Sequence, residues 1–251
     1  MFRNERHEEI LQLVARDGRV ATTELAERYG VSEDSIRKDL QQLDAEGKLQ
    51  RVYGGAVALA DLPARQVVTR VDDHADEKRA IAAKAFGLVE DGMTVFLDVS
   101  STNLYLADLL AASDKRLLVV SNMLELLSRV AAGPNIDAQC PGGHVSSELN
   151  GLVGGVTTRG LARGHFDLAF LGTIEFDLER NQVSTFDSED AAVKMTALEN
   201  ASRAYVVGGS HKFALQGSFR YARLTDFEAI ITDELRPEWV ARATEAGLAV
   251  L

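Results

Sequence analysis

The sequence predicts an α/β chain in two parts, a small N-terminal winged helix-turn-helix and a larger, mostly parallel α/β domain. Between Val20 and Gly55, two short amphipathic runs flank Gly30 and lead into a basic stretch closed by paired glycines. From Asp76 onward, short apolar runs of strand length alternate with amphipathic runs of helix length, the pattern of a sheet covered on both faces. A length of 251 residues, 46% of them hydrophobic, suits one sizeable core plus a small appendage and excludes a mostly disordered chain. The expected boundaries are 1–57 for the first domain, 58–75 for a linker and 76–251 for the second domain.

In the first domain, Ile10, Leu11 and Val14 mark an amphipathic helix that packs behind a helical pair. The first helix of the pair runs over Thr23–Tyr29, where Leu25, Ala26 and Tyr29 share a face. Gly30 can take the positive φ of a sharp exit, Val31 plugs the joint, and Ser32 is an N-cap for the second helix. Ile36, Leu40 and Leu43 then repeat toward the core, while Ser35, Arg37, Lys38, Gln41 and Gln42 lie opposite. Donors of that kind on a second helix suit phosphates and base edges in a major groove. The run from Gly47 to Val57 reads as the wing, with Lys48, Arg51 and Tyr53 in reach of a sugar-phosphate chain and Gly54-Gly55 permitting close backbone approach. Thr22 and Ser32 complete the candidate DNA contacts, and the expected partner is double-stranded operator DNA. The plainer alternative is a helical interaction module with solvated charged faces.

Charge opposes that reading globally, because the chain carries a net −11. Residues 1–60 are themselves slightly acidic, with nine Lys and Arg against eleven Asp and Glu. Placement answers the objection: Arg37, Lys38, Lys48 and Arg51 fall on the reading helix and wing, while Glu5, Glu8 and Glu9 come early and can face away. Modest non-specific affinity, and tight binding through a dimer or larger homo-oligomer, are the consequences. No stretch approaches the roughly 18 apolar residues of a membrane span, and Met-Phe-Arg-Asn-Glu-Arg lacks the apolar core of a signal peptide. A cytoplasmic protein with no membrane partner is expected. The single cysteine, Cys140, excludes an internal disulfide framework and is read as a buried, inert thiol.

Beyond the linker, the pattern predicts a helix over 76–90 and then strands at 93–97, 117–120, 136–140, 168–171, 204–207 and 229–231. Helices at 103–110, 123–131, 157–163, 188–201 and 237–246 fall between or after them, with 248–251 closing the chain. Ligands of such sheets bind outside the carboxyl ends of the strands, and the polar residues concentrate there. Asp98, Ser100, Ser101 and Thr102 follow one strand and open a helix, an arrangement suited to phosphate. Asn122 follows the next strand, Gly142 and Gly143 the third, and Gly172 the fourth. Thr185, Glu189, Lys194 and Lys212 complete the candidate set. Taken singly, the hydroxyls and Asn122 are N-caps and the glycines turns. As a set, they point to a small anionic ligand.

These residues carry a resemblance that covers nearly the whole chain. It is similar to the DeoR family of bacterial transcriptional regulators, whose signature runs through Arg6, Ile10, Gly18, Val20, Leu25, Val31-Ser32, Ile36 to Leu40, Leu43, Gly47, Arg51 and Gly54-Gly55-Ala56. The C-terminal part resembles that family's sensor domain, itself similar to ribose-5-phosphate isomerase. The resemblance implies an operator-binding regulator, usually a repressor of a carbohydrate or polyol operon, whose affinity is changed by a phosphorylated sugar or polyol. Where the family usually carries a second Arg, a Gly-Thr-Thr, a Gly-Ala-Asp-Gly, a proline and an aspartate, this chain has Lys38, Ser100-Ser101-Thr102, Gly172-Thr173-Ile174-Glu175, Phe186 and Gly209. An atypical phosphorylated effector is the expectation, or a changed or lost sensor.

A second reading, from another class, is a phosphosugar isomerase fused to a DNA-binding domain, with Asp98 and Glu189 as the carboxylate bases. No residue pair at a readable spacing commits to acid/base work, so no enzyme activity and no catalytic residue are assigned. The five histidines, His7, His74, His144, His165 and His211, lie in separate segments without ligand spacing, so no metal is expected. His211 reads as a solvated loop residue, with contact to an anion as the alternative. No Walker-type loop is present and no cofactor is implied.

Overall fold

In the computed structural model, the described residues are 3–17, 19–45, 48–52, 54–57, 70–234 and 236–251. The chain divides into two compact units, Met1–Ala64 and Arg65–Leu251.

The N-terminal unit opens with α1 (Arg3–Asp17) and β1 (Arg19–Ala21), followed by α2 (Thr22–Tyr29) and α3 (Glu33–Ala45). Between α2 and α3, Gly30 sits at φ 62° and closes α2 in the left-handed region, as the sharp exit requires. Ser32 Oγ accepts the Ser35 amide at 3.3 Å, the N-cap bond expected of it. Two strands follow, β2 (Gln50–Val52) and β3 (Gly55–Val57), paired antiparallel with Arg51 opposite Ala56. The wing sheet also takes in β1, which the sequence pattern did not reveal, in the order β1-β3-β2. That strand explains Gly55. A Cβ there would lie 1.9 Å from the Val20 carbonyl oxygen, so the close approach it permits is to β1 of its own unit. Ile10, Val14, Leu25, Ile36, Leu40, Leu43 and Leu49 bury together as the core of this unit.

In the C-terminal unit, α4 (Ala75–Phe86) precedes β4 (Thr94–Leu97), α5 (Ser101–Ala111), β5 (Leu117–Ser121), α6 (Leu124–Val130) and β6 (Ile136–Gln139). A hairpin, β7 (His144–Ser146) with β8 (Gly151–Val153), leads to α7 (Gly155–Leu161) and β9 (Phe166–Gly172). Then come β10 (Glu175–Asp177), β11 (Gln182–Thr185), α8 (Ser188–Glu199), β12 (Ala201–Val207), β13 (Phe219–Ala222), β14 (Ala229–Ile231), α9 (Pro237–Glu245) and β15 (Ala249–Val250). The main sheet is parallel throughout, in the order β15-β14-β12-β9-β4-β5-β6. The helix-strand alternation stands where the pattern put it, with ends displaced by a few residues. The hairpin and a small antiparallel sheet, β10-β11-β13, are additions the pattern did not show.

Strand alternation sorts the core into two layers. Val95, Leu97, Leu168, Phe170, Tyr205 and Val207 face Ile81, Leu104, Leu110, Leu126 and Val130 of α4, α5 and α6. Their neighbours Phe96, Ala169, Leu171, Ala204 and Val206 face Leu161, Ala191, Val193, Ala197 and Ala243 of α7, α8 and α9. From β4 the chain steps outward to β5 and β6, then returns to the other side of β4 with β9 and continues to β12, β14 and β15. The order therefore reverses between β4 and β9, and a crevice opens at the carboxyl ends of strands at such a reversal.

Candidate functional site

On α3, Arg37, Lys38, Gln41 and Gln42 are exposed while Ile36, Asp39, Leu40 and Leu43 are buried, so the polar face stands clear of the core. Arg37 is engaged along its own helix, donating to Glu33 Oε2 at 2.7 Å and to Asp34 Oδ1 at 3.2 Å. Lys48 is exposed before β2, and Ser32 and Ser35 share a hydroxyl contact at 3.0 Å at the start of α3. Thr22 is a correction: it is 5% exposed, and its amide donates to the Gly54 carbonyl at 2.7 Å, so it joins α2 to the wing and offers a duplex little surface. Tyr53 and the side chain of Arg51 lie outside the described residues.

Asp39 is a residue whose task the sequence did not reveal. Its carboxylate is 2% exposed and accepts from Arg6 Nε at 2.7 Å, His7 Nε2 at 3.0 Å and Arg3 Nε at 3.1 Å, which ties α3 to α1. Burial pushes this carboxyl up, but Arg6, His7 and Arg3 outweigh that and hold it below the usual carboxylate range.

In the C-terminal unit, a cleft of about 110 Å³ lies at the β4/β9 reversal, lined on those strand ends by Ser100, Ser101, Gly172 and Thr173. Thr185, Asp187, Asp190 and Lys194 border it from β11 and α8, Lys212 from the 3-10 turn Ser210–Ala214, and Arg70 from before α4. Ser100 caps α5 by accepting the Thr102 amide at 3.2 Å, so the positive end of that helix meets the cleft. Lys212 donates to the Thr173 carbonyl at 2.6 Å. Burial, and then Arg70, Lys78 and Lys194, lower its ammonium to about 7. Arg70 is also pushed down by burial, and its Nε is a buried donor without a hydrogen-bond partner. Glu148, Asp187 and Asp190 line the same cleft, and Lys194 is paired with Asp98 and Asp190, so Arg70 and Lys212 are the cations whose mutual repulsion an anion would relieve.

The cleft admits only part of the residues the sequence proposed. Ser100, Ser101, Gly172, Thr185, Lys194 and Lys212 line it; Asp98, Thr102, Asn122, Gly142, Gly143 and Glu189 do not. Asp98 is fully buried and turned to the protein: Lys194 Nζ, Asn103 Nδ2 (2.8 Å) and the Gly172 amide (2.8 Å) all donate to its carboxylate. It ties together the ends of β4 and β9 and the flank of α8. Asn122 bonds the Leu152 carbonyl at 3.1 Å, fastening β5 to the hairpin. Gly143 packs against Thr157, where a Cβ would lie 2.0 Å from the hydroxyl, and Thr157 Oγ1 donates to Gly142 O at 2.8 Å. Neither site lines the cleft: Asn122 holds the base of the hairpin and Gly142-Gly143 meet α7. Glu189 is exposed in the first turn of α8, and Thr102 is buried within α5.

One further expectation changes: Cys140 is exposed, not buried. His211 is exposed, as a solvated loop residue would be, and its ring also stacks on His74 with centroids 4.2 Å apart and planes at 15°. Burial, Lys212 and His74 push His211 down to about 4, so it is neutral at pH 7. Among the described residues no group of three or more His, Cys, Asp or Glu is placed to hold a metal ion, and no helix is long and apolar enough to cross a membrane.

The model of the DeoR C-terminal sensor domain matches residues 73–234, and that of the DeoR-like helix-turn-helix domain matches residues 6–61. The chain belongs to the DeoR family of transcriptional regulators. The HTH-type transcriptional regulator FruR of Bacillus subtilis, itself uncharacterized, is 29% identical over 93% of this chain and 92% of its own length. The glycerol-3-phosphate regulon repressor of Escherichia coli K12 is 27% identical over 94% of this chain and 93% of its own. Ribose 5-phosphate isomerase A of Methanocaldococcus jannaschii aligns over 56% of this chain and 55% of its own at 17% identity, with a TM-score of 0.43, a likeness too loose to bear on activity.

For a DeoR regulator, the instructive omission of sequence reasoning is Arg70. It falls in the stretch assigned to the linker, where periodicity fades, and nothing local distinguishes it from the other basic residues there. Asp190 was missed for a different reason. It sits in an ordinary acidic first turn of α8, and only its hydrogen bond from Thr185 Oγ1 at 2.6 Å and its place beside Lys194 reveal it as part of the cleft wall.

Proposed function

We propose that this DeoR regulator represses a carbohydrate- or polyol-use operon and that a phosphorylated sugar or polyol, seated in the cleft at the β4/β9 reversal, changes its hold on the operator. The observation that carries the reading is the gathering of Arg70, Lys194 and Lys212 around the capped N-terminus of α5. An anion there meets Arg70, Lys212 and a helix dipole in partial seclusion from water, with Lys194 paired to Asp98 and Asp190 in the cleft wall. The hydroxyls of Ser100, Ser101 and Thr185, with the Asp187 carboxylate, line the rest of the cleft and suit the hydroxyl groups of a short polyol chain. A relative named as a glycerol-3-phosphate regulon repressor accords with this class of ligand.

On the DNA side, Arg37, Lys38 and Gln41 of α3 read base edges and phosphates, with Lys48 and Arg51 of the wing on the backbone. The sensor's working boundary lies at or before Arg70. Binding as a homo-oligomer on repeated half-sites supplies the affinity that an acidic chain lacks as a monomer. Neither carboxylate named for the isomerase reading is placed as a base, because Asp98 is committed to Lys194, Asn103 and Gly172 and Glu189 lies outside the cleft.

The test is fluorescence anisotropy of the full chain on DNA from its own promoter region, at fixed salt, titrated with phosphorylated sugars and polyols and with their unphosphorylated counterparts. Release by one phosphorylated compound and by none of its unphosphorylated counterparts is the expected result. Operator binding that no compound alters refutes the sensor reading.

A further inference from the structure

Arg70 occupies an unusual position for a cleft residue. It precedes α4, outside the strand-helix alternation, only thirteen positions after Val57 ends the wing. Its main chain is nonetheless fixed to the sensor. Lys78 Nζ, on α4, donates to the carbonyls of Arg70, Val71 and Asp73, and Tyr105 Oη, on α5, donates to Val71 O at 3.1 Å. The Val71 side chain packs on the core layer beneath α4 and α5. This knot presents the Arg70 guanidinium to the cleft, where its Nε is buried with no hydrogen-bond partner.

Arg70 is half-buried, and its Nε, withdrawn from water with its hydrogen bond unmade, is an unsatisfied group. Asp190 and Asp73 are the carboxylates whose fields reach it; Asp190 accepts from Thr185 through Oδ2, and its Oδ1 lies 3.5 Å from Lys194 Nζ with no hydrogen-bond partner of its own. Neither carboxylate bonds Arg70 Nε, and a phosphate oxygen fits that vacancy, because the planar fork of arginine presents paired donors to a tetrahedral anion. Arg70 is also the first described residue of the sensor unit after the wing. A ligand that pulls on Arg70 thus acts near the start of that unit, whereas one that pulls on Lys212 acts on a turn remote from it in sequence.

We propose that Arg70 grips the anionic group of the effector and that this grip carries occupancy of the cleft to the segment leading into the DNA-binding unit. The proposal rests on the reading of the cleft as a phosphorylated-ligand site. Lys212 supplies affinity without coupling, and Arg70 supplies both. Coupling is then a difference in operator affinity between empty and filled sensors, reciprocal with effector affinity.

The experiment uses the full chain and Arg70→Gln, Arg70→Lys and Lys212→Gln, with thermal melts to confirm folding. Glycerol 3-phosphate, fructose 6-phosphate, fructose 1-phosphate and inorganic phosphate serve as probes, followed by calorimetry and by operator anisotropy at saturating probe. Each protein's operator shift is taken relative to its own affinity without probe. The expected result is that a probe bound by the wild type binds Arg70→Gln at least tenfold more weakly. Lys212→Gln also binds it weakly but keeps the wild-type operator shift at saturation. Arg70→Lys, which keeps charge without the fork, binds the probe and loses most of the shift.

Wild-type probe affinity in Arg70→Gln, or a full operator shift in Arg70→Lys, overturns the proposal while leaving the cleft reading intact. A wild type that binds none of the probes overturns both. Should Arg70→Gln fail to fold, the contrast between Arg70→Lys and Lys212→Gln decides the matter alone.

Discussion

Lys194 of α8 and Asp98 at the end of β4 form an ion pair with both side chains withdrawn from water, 2% and 0% exposed. The pair spans the chain reversal and stands behind the cleft. Burial works against the Lys194 charge, but Asp190 and Asp98 more than offset it and hold the ammonium above its ordinary value. Removing one member of a buried pair leaves the other charge stranded, at a cost of about 3–5 kcal/mol. Lys194→Met should therefore destabilise the C-terminal unit by about that amount in urea titrations followed by Trp239 fluorescence. Asp98→Asn combined with Lys194→Met should recover a large part of the loss, and a double variant no more stable than Lys194→Met would deny the pairing its weight.

Asp39 makes a pH-dependent contribution to the N-terminal unit. Its folded value lies below the unfolded one because Arg6, His7 and Arg3 together overcome the penalty of burial. Stability from such a group is fully present above the unfolded carboxylate value of about 4 and is lost as pH falls through the lower folded value. Protection of the α1 and α3 amides against hydrogen exchange, taken relative to the intrinsic exchange rate at each pH, should accordingly fall on acidification in the wild type. In Asp39→Asn, protection should be lower already at pH 6 and change less below it. Equal acid dependence in the two proteins would place the acid-sensitive group elsewhere.

Arg37 bonds Glu33 and Asp34 of its own helix, so reaching DNA means leaving two carboxylates. Exposed pairs at this spacing contribute about 0.3–0.5 kcal/mol, and the carboxylates also repel the phosphates that Arg37 would meet. Glu33→Gln should tighten operator binding by about twofold in anisotropy titrations, an estimate set by that pair strength. Arg37→Ala should abolish specific binding with folding retained. Unchanged operator affinity in Arg37→Ala would move the reading surface off this face of α3.

Lys212 predicts how effector affinity changes with pH. Its ammonium loses its proton at about 7, and a phosphate monoester becomes a dianion above about 6. The two charges needed for binding coexist best between these values. Above pH 7, binding must draw a proton onto Lys212, so affinity should fall by up to about tenfold per pH unit. Calorimetry at pH 8 in buffers of different ionisation enthalpy should register that uptake. Lys212→Arg, charged throughout, should lose both the uptake and the alkaline decline.

The sequence by itself determined the helices and the strands of the main sheet, with their faces, but not β1, the β7–β8 hairpin or the β10-β11-β13 sheet. Leu25, Ile36, Leu40 and Leu43 define a helix pair whatever surrounds them, because a helix repeats every 3.6 residues and turns its other side outward. The runs ending at Leu97, Val120 and Leu171 declare strands in the same local way, and right-handed crossovers then put their polar continuations at one edge of the sheet. Tertiary structure decided which of those continuations meet. Strand order set the reversal between β4 and β9, which gathered Ser100, Ser101, Gly172 and Thr173 and left Asn122, Gly142 and Gly143 to other tasks. It also turned Asp98 inward to Lys194, 96 positions away, and Asp39 inward to Arg6, 33 positions away. Arg70, buried Thr22 and the stacked His74 and His211 belong with these. Periodicity is a property of neighbours along the chain, whereas the task of a polar side chain is set by the charge or donor that folding places against it.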